Sequence, residues 1–170
     1  MEFNQLIRDI QDFPKEGILF KDITPLLGNP KALVAAADRL AAVSPEGISI
    51  DKVIGIEARG FILGSMIAER LEAGFVPVRK KGKLPFTTKQ RQYGLEYGTD
   101  VLEIHTDAIQ PGDHVLVHDD VLATGGTAKA VCELVEELGG IVVQCNFIME
   151  LTFLDGGSKL KAPIQSLLQY

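Results

Sequence analysis

The chain has 170 residues, 46% of them hydrophobic, which is enough to bury one substantial core and too few to favour two independent domains. A formal net charge of −6, from 17 basic and 23 acidic residues, argues against a broad nucleic-acid surface. No apolar run approaches membrane-spanning length, and Glu2, Arg8 and Asp9 interrupt the stretch where a signal peptide would need apolar residues, so the expectation is a cytoplasmic protein with no membrane partner.

In chain order, Leu6, Ile7, Ile10 and Phe13 recur at helical spacing and predict a short amphipathic helix that Pro14 ends. Pro14 to Gly28 reads as loop with short extended pieces. From Asn29-Pro30, the apolar positions Leu33, Ala36, Ala37, Leu40 and Val43 predict a helix stopped by Pro45-Glu46-Gly47. The chain then alternates: a strand over Val53 to Ile56, a helix over Phe61 to Leu71, strands over Phe75 to Val78 and Val115 to Val117, a helix over Thr127 to Leu138 and a strand over Ile141 to Ile148. Such repetition predicts an α/β fold, a mostly parallel sheet flanked by helices, in a single domain over 1–170.

Between Arg79 and Pro111 the rhythm breaks. A basic stretch containing Gly and Pro leads to Tyr93-Gly94-Leu95-Glu96-Tyr97-Gly98, after which Val101, Glu103 and His105 alternate with Leu102 and Ile104. The reading is a flexible loop flanked by antiparallel strands, with Arg79 to Gly98 mobile alone and ordered over a ligand, because a polar connection of this length inside one domain is usually functional or disordered. The two cysteines, Cys132 and Cys145, fall on a helix face and a strand without the spacing of a metal or disulfide framework, and are expected to pack in the core.

The chemistry concentrates in Val115-Leu116-Val117-His118-Asp119-Asp120-Val121-Leu122-Ala123-Thr124-Gly125-Gly126-Thr127, a strand followed by paired acids, a small-residue loop and a helix start. Ligands of open α/β sheets sit outside the carboxyl ends of the strands, where this loop falls. Glycines let the backbone approach a ligand, the threonines offer hydroxyl donors, and a helix start presents unsatisfied N–H groups: together, a phosphate cradle. Neither a Walker lysine nor GxGxxG is present, against NTPases and dinucleotide enzymes. Acids directly before the loop suit hydroxyls, so a sugar phosphate satisfies both halves.

This run resembles the phosphoribosyl pyrophosphate signature of the type I phosphoribosyltransferases. Phe20-Lys21-Asp22-Ile23-Thr24-Pro25, Glu57-Ala58-Arg59-Gly60-Phe61, Arg79-Lys80-Lys81-Gly82-Lys83-Leu84-Pro85, Leu95-Glu96-Tyr97-Gly98 and the ending Ser166-Leu167-Leu168-Gln169-Tyr170 are similar, in order, to segments of the adenine branch of that family. His118 departs from it, standing where an aliphatic residue is common, and takes no functional role from the resemblance; a hydrogen-bonded histidine at a strand end is the plainer reading.

The resemblance implies a type I phosphoribosyltransferase-like sheet with a small hood and a flexible antiparallel lid. It implies transfer of phosphoribosyl from phosphoribosyl pyrophosphate to adenine, giving AMP and pyrophosphate in purine salvage, with Mg²⁺ as cofactor and a homodimer as the assembly. It places the 5′-phosphate on Ala123, Thr124, Gly125, Gly126 and Thr127 and the ribose hydroxyls on Asp119 and Asp120. Arg59, with Arg79, Lys80 and Lys83 from the dense cationic run, suits the pyrophosphate. Adenine falls beside Leu19, Phe20 and Lys21, with an apolar side chain stacked on the ring and backbone groups reading its polar edge; Phe20 as a core residue is the alternative. Mg²⁺ would be held mainly by substrate oxygens and water, since no dedicated protein cage is visible. Glu96 is the candidate catalytic acid/base, or else a residue that only orders the lid. A phosphoribosyltransferase for another base and a non-catalytic regulator with this fold are the alternatives, and the latter would need a DNA-binding domain or basic face that neither length nor charge supplies.

Overall fold

The computed structural model describes residues 2–95 and 98–170, with backbone alone at 95, 98 and 99. After a 3₁₀ turn over Phe3–Leu6, a two-stranded antiparallel hood pairs β1 (Arg8–Ile10) with β2 (Phe20–Asp22). This corrects the helix expected from Leu6 to Phe13. A segment that short cannot offset helix nucleation on its own. Pairing of Arg8 with Asp22, Asp9 with Lys21 and Ile10 with Phe20 satisfies its backbone instead, and Lys21 Nζ reaches Asp9 Oδ1 at 2.7 Å.

Two helices follow, α1 (Thr24–Leu27) and α2 (Pro30–Ala42). α2 starts where expected because the Asn29 side chain accepts hydrogen bonds from the N–H groups of Lys31 and Ala32, a cap worth about 1 kcal/mol, and Pro30 occupies the first turn. Its buried stripe of Ala32, Ala36, Ala37 and Leu40 faces the sheet. The remaining order is β3 (Lys52–Ile56), α3 (Gly60–Arg70), β4 (Gly74–Lys80), β5 (Thr88–Leu95), β6 (Gly98–His105), β7 (His114–Leu122), α4 (Gly126–Glu137), β8 (Ile141–Glu150) and β9 (Ile164–Gln169).

The seven-stranded sheet runs β5-β6-β4-β3-β7-β8-β9. β4, β3, β7, β8 and β9 are mutually parallel, whereas β6 is antiparallel to both β4 and β5. One apolar layer packs α2 and α3 on one face through Leu40, Leu63 and Ile67; another packs α4 on the opposite face through Val131, Leu134 and Val135. With both faces covered, the central strands carry continuous apolar runs such as Val115 to Val117. The parallel sheet and its helices follow the expected order. The final strand β9 was not foreseen, its short sequence being indistinguishable from loop until β8 offers it an edge. The Arg79 to Pro111 stretch contains the expected antiparallel strands: Arg79 and Lys80 end β4, and β5 and β6 pair as a hairpin. Among the described residues no helix is long and apolar enough to cross a membrane.

The strand order reverses at β3, whose chain continues to β4 on one side and reappears as β7 on the other. A crevice opens at such a switch point beyond the carboxyl ends of the two strands, here β3 and β7.

Glu103 anchors the hairpin to the turn after β4. Only 2% exposed, its carboxylate accepts N–H bonds from Lys83 and Leu84, each at 3.0 Å. Burial acts to raise its pKa, but the Leu84, Gly82 and Lys83 N–H groups outweigh that and leave it below the ordinary 4.5. The stabilisation is therefore present above the unfolded-state value and lost as pH falls through the depressed folded-state one. Glu103→Ala should destabilise the protein by about 1–3 kcal/mol at neutral pH in urea unfolding, with the gap from wild type narrowing through the acid range. A gap independent of pH would remove the carboxylate as its cause.

Candidate active site

β7 extends further than its apolar run suggests and carries Asp119 and Asp120 within the strand, so their side chains point to opposite faces. Asp120 is 3% exposed, and its Oδ2 lies 2.7 Å from Arg59 Nε. Arg59 comes from the turn between β3 and α3, delivered there by the parallel pairing of Gly55 with His118. Asp119 is half-buried, and its Oδ1 accepts the Asp120 N–H at 2.9 Å. Burial, followed by repulsion from Asp120, raises the Asp119 pKa well above its ordinary value; burial also raises that of Asp120, opposed by the Arg59 charge. The pair therefore favours any ligand that donates hydrogen bonds or brings positive charge.

Beyond Asp120 the chain turns through Ala123, Thr124 and Gly125 into α4. Gly125 has φ +76°, and the first intrahelical bond runs from Lys129 N to Gly125 O, so the first N–H groups of α4 face a cavity of about 70 Å³ that Asp119, Thr124, Gly125 and Thr127 help to line. The glycine turn and helix start read from the sequence thus lie together beside that cavity.

The loop is held from two sides by residues that sequence reasoning missed. Below it, a Cβ on Gly125 would stand 2.2 Å from Gly156 O, and one on Gly156 would stand 2.1 Å from Ala123 O, so the two backbones interlock only as glycines. Lys159 adds a 2.6 Å bond from Nζ to Thr124 O. Above it, the β5–β6 hairpin brings the Tyr93 side chain beside Thr127 and places Gly94 O 3.3 Å from the Cβ position of Gly126. Gly156 and Lys159 lie thirty residues from the motif, and nothing local marks them as its support.

Phe20 is half-buried at the hood: the Arg59 guanidinium lies over its ring at 5.4 Å, and Phe13 packs edge-on at 5.1 Å. Lys21, its neighbour on β2, points the other way, to Asp9 and over the Tyr170 ring. Its side chain is absent from the crevice and only its backbone is in reach. Leu19 is exposed at the hood.

The basic run after β4 converges on a further residue whose role sequence reasoning missed, Glu57. Its Oε1 is 2.7 Å from Lys83 Nζ, and its Oε2 accepts the Lys80 N–H at 2.8 Å and lies 3.4 Å from Arg79 Nε. Burial acts to raise its pKa, but Lys83, the Lys80 N–H and Arg79 leave it lowered. Lys80 Nζ instead pairs with Asp100 at 3.0 Å. Arg59, Arg79 and Lys83 thus gather around the Glu57 to Arg59 turn, while the Lys80 ammonium turns to the hairpin. Glu96 lies outside the described residues. His118 is fully buried, its Nδ1–H donating to Asn146 Oδ1 at 2.8 Å, and burial pushes its pKa down to about 4; it is a neutral packing residue, in keeping with its reading from sequence.

Comparison with known proteins agrees with this geometry. The phosphoribosyl transferase domain model matches residues 24–165. An adenine phosphoribosyltransferase of Flavobacterium johnsoniae is 61% identical, with all of both chains covered. The chain belongs to the adenine phosphoribosyltransferase family. Among solved members, the enzyme of Rhodothermus marinus is 56% identical, covering 99% of this chain and 96% of that one at a TM-score of 0.93. That of Saccharomyces cerevisiae, complexed with an imino-altritol bisphosphate and adenine, is 45% identical, covering 98% and 97% at a TM-score of 0.91.

The interlocked glycines give a direct test of the cradle. Gly156→Ala should lower the affinity for ribose 5-phosphate about tenfold or more in calorimetry, because its methyl group must push Ala123 and the loop aside. Gly157→Ala, which meets only the flexible Ile164 side chain at 3.1 Å and the Glu150 carboxylate at 3.4 Å, should bind close to normally. Equal affinity for both variants would remove Gly156 as a brace of the loop.

Proposed function

We infer that this protein joins adenine to 5-phosphoribosyl 1-pyrophosphate, yielding AMP and pyrophosphate, as a purine-salvage transferase. The observation that carries this is the meeting, at the β3/β7 switch point, of a phosphate-sized cavity, an acidic pair with Asp120 buried, and Arg59 beneath an aromatic ring. Full-length likeness to adenine phosphoribosyltransferases supplies the base.

In this reading Ala123 to Thr127 hold the 5′-phosphate, and Asp119 and Asp120 accept from the ribose 2′- and 3′-hydroxyls. Arg59 keeps Nε on Asp120 and offers its terminal nitrogens to the pyrophosphate, joined by Arg79, Lys80 and Lys83. Adenine stacks on Phe20, with backbone groups of Leu19 to Lys21 reading its polar edge. As the anomeric C–O bond to pyrophosphate breaks, positive charge grows on the ribose, and the nearby carboxylates stabilise it. A purine nitrogen bonds to the anomeric carbon and loses its proton, for which Glu96 is the proposed acceptor; β5, which leads to it, already sits over the phosphate loop at Tyr93.

Mg²⁺ fits this site as a substrate-held ion. Among the described residues no cluster of three or more His, Cys, Asp or Glu is placed to cage a metal, leaving Asp119, Asp120, substrate oxygens and water as donors. When bound, it neutralises pyrophosphate charge. We also propose a cytoplasmic homodimer: free Cys132 and Cys145 suit a reducing compartment, and a light-scattering mass equal to one chain would exclude the dimer.

Assays with phosphoribosyl pyrophosphate and Mg²⁺ should show adenine-dependent pyrophosphate release with far weaker turnover of guanine, hypoxanthine and orotate, and loss of turnover when the metal is chelated. Equal use of another base would overturn the assignment.

Glu96→Gln should slow the chemical step by roughly 10² to 10⁴ in single-turnover kinetics while leaving phosphoribosyl pyrophosphate affinity nearly intact. A loss below about fivefold would leave Glu96 with a loop-ordering role only.

A further inference from the structure

α4 meets β8 at two sulphur atoms. Cys132 on α4 and Cys145 on β8 bring their Sγ atoms to 3.6 Å, and both thiols are free. The two differ in access. Cys145 is 0% exposed, whereas Cys132 is half-buried and lines a cavity of about 200 Å³ with Lys129, Glu133, Val142, Leu160 and Pro163. That cavity shares no lining residue with the one at the phosphate loop, and neither cysteine takes part in the transfer reaction.

We propose that Cys132 and Cys145 form a reversible intramolecular disulfide, made when a small hydroperoxide enters this cavity and oxidises Cys132. In the first step the Cys132 sulphur attacks the terminal peroxide oxygen and the O–O bond breaks. Cys132 becomes a sulfenic acid, its proton passes to the departing oxygen, and the peroxide leaves as an alcohol or as water. In the second step the Cys145 sulphur attacks the Cys132 sulphur, the S–O bond breaks, and the released hydroxide takes the Cys145 proton to leave as water. Two thiols have then lost two electrons to one peroxide, and an external dithiol reverses the change.

Geometry assigns the order. An oxidant reaches Cys132 through the cavity and cannot reach Cys145. The Cys132 thiol beside it, together with burial, holds the Cys145 pKa well above 9.0, so Cys145 is a poor first target. A sulfenic acid on Cys132 forms within van der Waals reach of its resolving thiol, and the Sγ atoms need only close from 3.6 Å to about 2.05 Å. The cross-link ties α4, whose first turn carries Gly126 and Thr127, to β8, the strand beside the β9 edge of the sheet.

The test is intact-mass measurement of the folded, full-length protein after brief exposure to hydrogen peroxide, followed by peptide mapping without reductant. The wild-type chain should lose the mass of two hydrogens, yield a cross-linked peptide joining Cys132 to Cys145, and return to its starting mass in dithiothreitol. Cys132→Ser and Cys145→Ser should each abolish the cross-link, and the first should leave Cys145 unmodified. The proposal fails if both wild-type thiols still titrate after treatment, if the mass rises by oxygen with no cross-link, or if cysteines are joined only between two chains. Because wild-type mapping decides the matter, a variant that folds poorly does not blunt the test.

Discussion

The ion pair between Arg59 and Asp120 is the constraint on which the rest of the site depends. A carboxylate at the end of a central strand, 3% exposed, is costly unless compensated, and removal of one partner from a buried pair typically costs about 3–5 kcal/mol. Arg59 is nearly half exposed, so its share is smaller, yet no other cation is paired with Asp120 among the described residues. The requirement holds the β3–α3 turn against β7 and brings the guanidinium under Phe20. Hood, turn and strand therefore converge on one charge.

The phosphate loop is held by steric exclusion more than by charge. Gly125 and Gly156 leave no space for a Cβ on either side, so the two backbones pack directly against each other beside the Lys159 bond to Thr124 O. Above it, the hairpin contacts are polar, through Tyr93 and Thr127 and through Arg91 and Lys89 to Glu133 and Glu137 on α4. Surface ion pairs of this kind contribute little individually, so the upper contact is far easier to release than the lower one. A rigid floor under a separable cover suits a site that must admit a substrate and then exclude water.

The cations proposed for pyrophosphate are already paired in the free chain. Glu57 holds Arg79 and Lys83, and Asp100 holds Lys80. Such pairing keeps flexible cations near the Glu57 to Arg59 turn, and an entering polyanion has to compete for them. Of these contacts the Arg79 Nε to Glu57 one is the longest, at 3.4 Å, against 2.7 Å for Lys83 and 3.0 Å for Lys80 to Asp100.

The sequence alone determined the α/β class, the order of the main strands and helices, the glycine loop with its preceding acids, and the family, because each rests on local pattern: continuous apolar runs, the Asn29-Pro30 cap, and Asp119 to Thr127 as one contiguous motif. It misread Leu6 to Phe13, where helical spacing and strand pairing compete and only contact with β2 decides. Tertiary structure alone decided that Phe20 faces Arg59 while Lys21 turns to Asp9, since one residue along a strand reverses the face. It alone supplied Glu57 as the anchor of the cations, Gly156 and Lys159 as the floor of the phosphate loop, and the approach of Cys132 to Cys145. These contacts join segments distant along the chain, and a sequence carries no local signal for a partner that only the packing of the sheet brings near.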